Sequence, residues 1–214
     1  MKAFHNDIKI KKQYLGRVKL HEKADEIIKG KYWENGKGCA VGCTIHNSVH
    51  ASYETELGIP RILARLEDGI FELLPNDIAR TFPRRFLEAI TPGADLSNVW
   101  PEFAVWLLTD EKYGVLQFAK TDEQREAIQS VSDLYLLKSQ GVDVDRQDWV
   151  DARIAAYAAD ADVAYAAAAY AAAADIAYAD AAYAADAAYA AYAKRSEWRI
   201  AQSEKLIKLL KAAR

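Results

Sequence analysis

Between about residues 151 and 193, roughly three in five positions are alanine, and nearly every other one is Tyr, Asp, Val or Ile. The last glycine is Gly141 and the last proline Pro101, so no helix breaker interrupts the chain from about Asp145 to its end. In register, the tract reads as three imperfect copies of a 13-residue unit: Ala156-Tyr157 through Ala168, Ala169-Tyr170 through Ala181, and Ala182-Tyr183 through Lys194. Asp162-Val163 recurs as Asp175-Ile176, and Tyr165 as Tyr178. Each copy advances a helix by roughly 220°, which spreads the tyrosines around it instead of stacking them in one stripe. A helix without a single polar face is buried on several sides. Alanine lets neighbouring backbones approach, and Tyr rings fill gaps while keeping their hydroxyls near polar partners. A core or self-association element is therefore expected; a repetitive surface for ice, a filament or another copy is the alternative. One helix of this length spans on the order of 100 Å, so the reading is a long C-terminal helix or a helix pair.

The remaining sequence bounds the class. At 214 residues, 51% of them apolar, the chain can bury a core. The net charge of -3 hides a gradient: residues 1–37 hold ten Lys/Arg against five acids, the alanine tract six Asp against Arg153, and the tail from Lys194 seven bases against two acids. Basic ends around an acidic middle imply intramolecular or subunit complementarity, or an anionic partner. Met1 to Gln13 has no apolar secretory core. Asp160, Asp162, Asp175, Asp180 and Asp186 make the tract too costly for a bilayer. Two cysteines four apart fit a reducing compartment, so a soluble, cytoplasmic protein without a membrane partner is expected.

Most segments read as helix. Val18 to Lys29 has apolar residues at helical spacing and stops at Gly30, and Cys39 to Leu57 reads as one helix stopping at Gly58. Pro60 opens a helix whose Ile62, Leu63, Leu66, Ile70, Phe71 and Leu74 form an apolar face. Residues 76–101 are broken by prolines into short helices and turns, and Glu102 to Ala119 is core. Thr121 with Gln124 forms a capping box for a helix to about Lys138, ended by Gly141. Only Asp7 to Lys12 alternates in a way that suggests a strand. The expectation is an all-α fold, with a helical domain over 1–141 and an alanine-rich segment with a basic tail over 142–214.

Chemistry concentrates in residues 35–50. On one helix, Cys39, Cys43, His46 and His50 fall at i, i+4, i+7 and i+11, along a single face. Three readings compete. A metal could sit on His46 and His50 or on the two cysteines, with Glu67, Asp68, Glu72, His5 or His21 completing the shell, because four ligands strung over about 16 Å cannot share one ion. Alternatively Cys39 is a nucleophile, its pKa lowered by the helix start and Lys37, with His21 as base and Asp25 as orienter. The third reading is a buried helix of packed thiols and satisfied imidazoles. The preceding loop offers a separate possibility: Gly36, Lys37 and Gly38 free backbone N–H groups at a helix start, an arrangement that suits phosphate, although the P-loop order is absent. Tyr32 and Trp33 could stack on a base, or form a small aromatic cluster packed on the next helix. A ligand pocket would then comprise Gly36, Lys37, Gly38, Cys39, Cys43, His46 and Tyr32. No cofactor is specified.

The run His21 to Tyr32, Gly36-Lys-Gly-Cys39-Ala-Val-Gly42-Cys43-Thr-Ile-His46, Leu57-Gly-Ile-Pro60 and Leu63 to Glu72 resembles a family of bacterial and phage proteins of unassigned function. The resemblance covers roughly residues 18–110, and similar members also end in alanine-rich segments. It brings no known activity. A phage or mobile-element setting would imply interaction with a host protein, and an anti-defence role by sequestering nucleotide signals or blocking a host enzyme. The expected function is binding or sequestering of an anionic small molecule, with a thiol-dependent or metal-assisted enzyme as one alternative and a self-associating structural protein, a homo-oligomer, as another. Bases alternate with acids in Lys19 to Lys29, which argues against nucleic acid.

Overall fold

A computed structural model describes residues 1–158 and 195–214. Its architecture is all-α, with one two-stranded hairpin. The repeat tyrosines and most of the alanine tract lie outside the described residues. The chain forms two compact units, Met1–Val99 with Ser203–Arg214, and Trp100–Gln202. The break expected at Gly141 falls inside the second. No described helix is long and apolar enough to cross a membrane.

In the first unit, α1 (Ile8–Lys23) begins where the Asp7 side chain accepts the Lys9 N–H at 2.7 Å. This corrects two expectations: Asp7 to Lys12 is cap and helix rather than strand, and the helix starts well before Val18. It also stops well before Gly30, because Ala24 caps it and Asp25 takes φ +60°. The chain returns through β1 (Trp33–Glu34) and β2 (Lys37–Gly38), an antiparallel pair joined by Asn35 (φ +53°) and Gly36 (φ +81°). An Asn-Gly pair with both φ positive makes the tight hairpin turn.

Next comes α2 (Ala40–Ile45), every residue of which is buried. The single helix expected from Cys39 to Leu57 is broken. His46 adopts φ +57°, the Asn47 side chain accepts the Val49 N–H at 2.7 Å, and α3 (Ser52–Leu57) begins afresh. Asn47 offers the backbone a local alternative to the helix ladder. The expected apolar face of α4 (Arg61–Leu73) is the core of this unit: Leu63, Leu66 and Ile70 are wholly enclosed, and truncating such a residue to Ala costs about 2–5 kcal/mol. Two short helices, α5 (Asn76–Ala79) and α6 (Phe82–Ala89), follow as expected. α1 packs on α2 and α6, and α2 packs on α4 and α6, so α2 is the centre of the unit.

The glycines of residues 38–42 serve this packing. A Cβ on Gly42 would lie 1.3 Å from the Tyr32 carbonyl oxygen, and one on Gly38 would lie 2.1 Å from it. Gly38 and Cys39 donate their N–H groups to the carbonyls of Glu26 (3.1 Å) and Lys31 (2.7 Å).

The second unit contains α7 (Val99–Thr109), α8 (Asp122–Ser139), α9 (Arg146–Ala158) and the start of α10 (Arg195–Ala212). α8 opens on the expected capping box and packs against α9. The Trp100 indole N–H donates to the Tyr135 hydroxyl at 3.0 Å, and Tyr135 lies 4.6 Å from Trp149, ring centre to ring centre. Trp149, Ala152 and Ala156 are buried while Ile154 is 61% exposed, so where the alanine tract begins, one alanine stripe faces the core.

Candidate functional site

The break after Ile45 separates the residues expected on one helical face into two clusters, one at each end of α2.

The C-terminal cluster is open. His21 comes from the last turn of α1, and the turn at Asp25 folds Glu26 back beside it, with the Glu26 N–H on the His21 carbonyl at 3.0 Å. Glu26 Oε2 then reaches His21 Nδ1 at 2.7 Å. A carboxylate on Nδ1 fixes the ring with Nε2 pointing outward, where it meets His46 Nε2 at 2.8 Å. Two imidazole nitrogens at that distance share one proton, so one ring donates and the other accepts. Trp33 holds the pair, stacked on His46 at 4.2 Å and edge-on to His21 at 5.3 Å. His46 is exposed overall, but partial desolvation of its ring lowers its pKa, helped by the charges of Arg17 and His21, which keeps that ring neutral near pH 7 and able to take a proton. The chain Glu26–His21–His46 borders an open groove of about 790 Å³ lined also by Arg17, Leu20 and Lys23. Leu20 is 69% exposed there.

At the other end of α2 the cluster is enclosed. Cys39 caps the helix and is 1% exposed. Its sulfur and one carboxylate oxygen each from Asp68 and Glu72, one turn apart on α4, all lie within 4.8 Å of one another. His50 Nε2 is 3.2 Å from Asp68 Oδ2, and the Tyr32 ring packs edge-on to His50 at 5.6 Å. The Gly30 N–H donates to Glu72 at 2.9 Å, and the buried Tyr53 hydroxyl to Glu67 at 2.8 Å. Asp68 Oδ1 and Glu67 Oε1 are shut from solvent and accept no hydrogen bond of ordinary geometry from the described residues. Burial holds the Glu67 carboxyl well above the usual carboxylate range.

Several expectations are corrected by this geometry. The Cys39 pKa is not lowered but raised, by burial and then by the negative charge of Asp68, and burial pushes the Cys43 thiol up to about 12. Cys39 caps a helix of six residues and not the long one expected from Cys39 to Leu57, and so short a helix does not offset burial. Cys43 points its S–H at the Gly38 carbonyl, 3.2 Å away. The residue orienting His21 is Glu26, while the exposed Asp25 pairs with Arg80 at 2.9 Å. His46 and His50 do not form an ion-sharing pair, since His46 meets His21 and His50 meets Asp68. The phosphate cradle loses its donors, because the N–H groups of Gly38 and Cys39 are spent on main-chain carbonyls, and Gly36 with exposed Lys37 belongs to the hairpin. His5 bonds the Thr55 carbonyl at 3.1 Å, away from both clusters.

Sequence reasoning missed Glu26 and Arg17, whereas Trp33 takes the expected place of an aromatic packed against α2. A cleft of about 680 Å³ lies elsewhere along α1, but most of its charges are paired: Arg84 with Glu22 (2.8 Å) and Glu88 (3.0 Å), Lys19 with Glu88 (3.0 Å), and Arg80 with Asp25 (2.9 Å). Comparison with family models, curated proteins and solved structures gives no match for this chain.

Proposed function

We propose that the chain binds a small anionic molecule, of the phosphorylated kind that includes nucleotides, in the groove beside α1 and acts on it by proton transfer through His46 and His21. The observation that carries this reading is the Glu26–His21–His46 hydrogen-bonded chain at the groove. A carboxylate, an oriented imidazole and a second imidazole with depressed pKa are the components of a general acid–base centre. Arg17 and Lys23 supply positive charge on the same wall, and exposed Leu20 offers an apolar contact for a flat ring. Arg17 is held in place by donating to the Thr44 carbonyl at 2.8 Å and lying over the Tyr14 ring at 4.8 Å. The thiol-dependent alternative gains no support, because both sulfurs are buried with raised pKa values.

Calorimetry against nucleoside mono-, di- and triphosphates and sugar phosphates tests binding, and phosphorus and proton NMR of the same mixtures test turnover. Binding should fall at least ten-fold in Arg17→Ala and weaken with salt. Turnover should be lost in His46→Asn, a residue type that tolerates the left-handed backbone there. No heat for any member would defeat the reading. Binding without turnover between about pH 5 and 9 would remove its catalytic half and leave a sequestering protein.

A further inference from the structure

We propose that the enclosed cluster at the start of α2 is a structural binding site for a zinc-type divalent cation, with Cys39, Asp68 and Glu72 as protein ligands and His50 positioning Asp68. The site is distinct from the histidine groove and does not depend on its function.

The ligand atoms converge from two elements far apart in sequence. Cys39 Sγ and single oxygens of Asp68 and Glu72 fall within 4.8 Å of one another. In a tetrahedral zinc site, bonds of about 2.0–2.3 Å place neighbouring ligand atoms about 3.3–3.8 Å apart, so a contraction of about 1 Å brings the three onto one ion. Asp68 and Glu72 are one turn apart on α4, on the same face. The parts around the site are fixed: Cys39 N–H on the Lys31 carbonyl (2.7 Å), Glu72 on the Gly30 N–H (2.9 Å), Asp68 on His50 (3.2 Å). A hydrogen bond from imidazole to a ligating carboxylate is the usual outer support of a metal ligand.

A second observation points to a cation independently of that convergence. Asp68 Oδ1 is sealed from solvent and receives no hydrogen bond of ordinary geometry from the described residues, although the Tyr32 hydroxyl and the Cys39 thiol act on the same carboxyl group at longer range, and wholly buried Glu67 keeps Oε1 without a donor as well. Buried polar oxygens are almost always satisfied, and here two adjacent carboxyl groups leave one oxygen each unmet. An ion on Asp68 would meet the first of these and reduce the surplus of acid groups around the second.

The donor set selects the ion class. Thiolate excludes magnesium and calcium, which take oxygen ligands, whereas sulfur with carboxylates suits zinc and its cobalt surrogate. Binding replaces the S–H bond of Cys39 with an S–metal bond and releases one proton to solvent. Enclosure makes the site structural rather than catalytic: Cys39 is 1% exposed, and the side chains of His50 and Asp68 are 12% and 13% exposed. An ion there would tie the start of α2 to α4.

The test is a titration of the metal-free full-length protein with Co²⁺, followed by absorbance and then by Zn²⁺ competition. One equivalent should produce a thiolate-to-cobalt charge-transfer band that Zn²⁺ abolishes. The band should vanish in Cys39→Ser and survive in Cys43→Ser. Asp68→Asn and Glu72→Gln should each weaken Co²⁺ at least ten-fold. Circular dichroism establishes that each variant is folded, and the wild-type titration stands even where a variant is not. The proposal is overturned if the wild type develops no such band at stoichiometric Co²⁺, or if the band follows Cys43 instead of Cys39.

Discussion

The two ends of α2 are built from similar residue types and treat them oppositely. At Cys39 the chain buries a thiol beside two carboxyl groups, Asp68 and Glu72, with Tyr32 and His50 packed against the site. At His46 it leaves an imidazole exposed on a groove, with its partner His21 held by a carboxylate on the far nitrogen. Six residues separate the two ends, yet one suits a fixed structural role and the other exchange with solvent. The difference arises from the backbone. Residues 32 and 33 lie directly on the glycines at the start of the helix, whereas the helix ends in a left-handed turn at His46 that is covered by side chains, Trp33 and His21, and not by backbone.

That contrast breaks most completely at Gly42. A valine there would place Cβ 1.3 Å from the Tyr32 carbonyl. The clash is with backbone, so a rotamer change cannot relieve it. We expect Gly42→Val to cost on the order of 3 kcal/mol or more, seen as a fall in urea midpoint, with the hairpin displaced and both clusters lost together. Gly36→Ala is the control: no atom lies within 4 Å of the added methyl, and only the strain of φ +81° remains, about 1–2 kcal/mol. Equal losses in the two variants would show that the close approach does not organise the site.

A smaller effect sharpens the enclosed side. Tyr53 is fully buried, and its hydroxyl is the hydrogen-bond donor on Glu67 Oε2 at 2.8 Å. Tyr53→Phe leaves both oxygens of a buried carboxyl group without that donor, at an expected cost of about 1–3 kcal/mol. Thermal and urea unfolding measure it. A neutral result would mean that water already reaches Glu67.

The contrast between the two ends was only partly written in the sequence. The apolar period of α4 and the Thr121/Gln124 box were legible because each is a local pattern with a local cause. Asp7 as a cap and Asn35-Gly36 as a tight hairpin turn were equally local, and would have placed α1 and the two strands correctly. The break at His46 was not legible: no Gly or Pro follows Gly42 until Gly58, and the turn rests on the Asn47 side chain, which donates to the Ile45 carbonyl and accepts from the Val49 N–H. Because the face holding Cys39, Cys43, His46 and His50 assumed an unbroken helix, the pairing of His46 with His50 failed, and the face is divided between two clusters. His21, Asp68 and Glu72 were visible as residue types capable of chemistry, but their partners depend on how α1 and α4 pack on α2. Glu26 carried no signal of its own, since it reaches His21 only through the positive φ of Asp25.

The smallest expected effect lies at the open end and depends on pH. The folded-state pKa of His46 is depressed, first by burial and then by Arg17 and His21. Protons therefore bind its imidazole more readily in the unfolded chain. Stability rises with pH wherever the unfolded state holds more protons. The contribution of His46 is thus fully present above the unfolded value of about 6.5, declines as pH falls below it, and levels off once the folded ring is also protonated. Subtracting the urea midpoints of His46→Asn from those of the wild type, measured from about pH 8 to 5, isolates this contribution from the carboxylates common to both proteins. The difference should shift against the wild type below about pH 6.5, and only modestly, because the ring is exposed and water screens its neighbours. A difference that stays flat across that range, or moves in favour of the wild type on acidification, would mean that the folded state does not depress the His46 pKa. The ring would then not be held neutral by its surroundings, and the argument that it serves as the proton acceptor of the groove would fail with it.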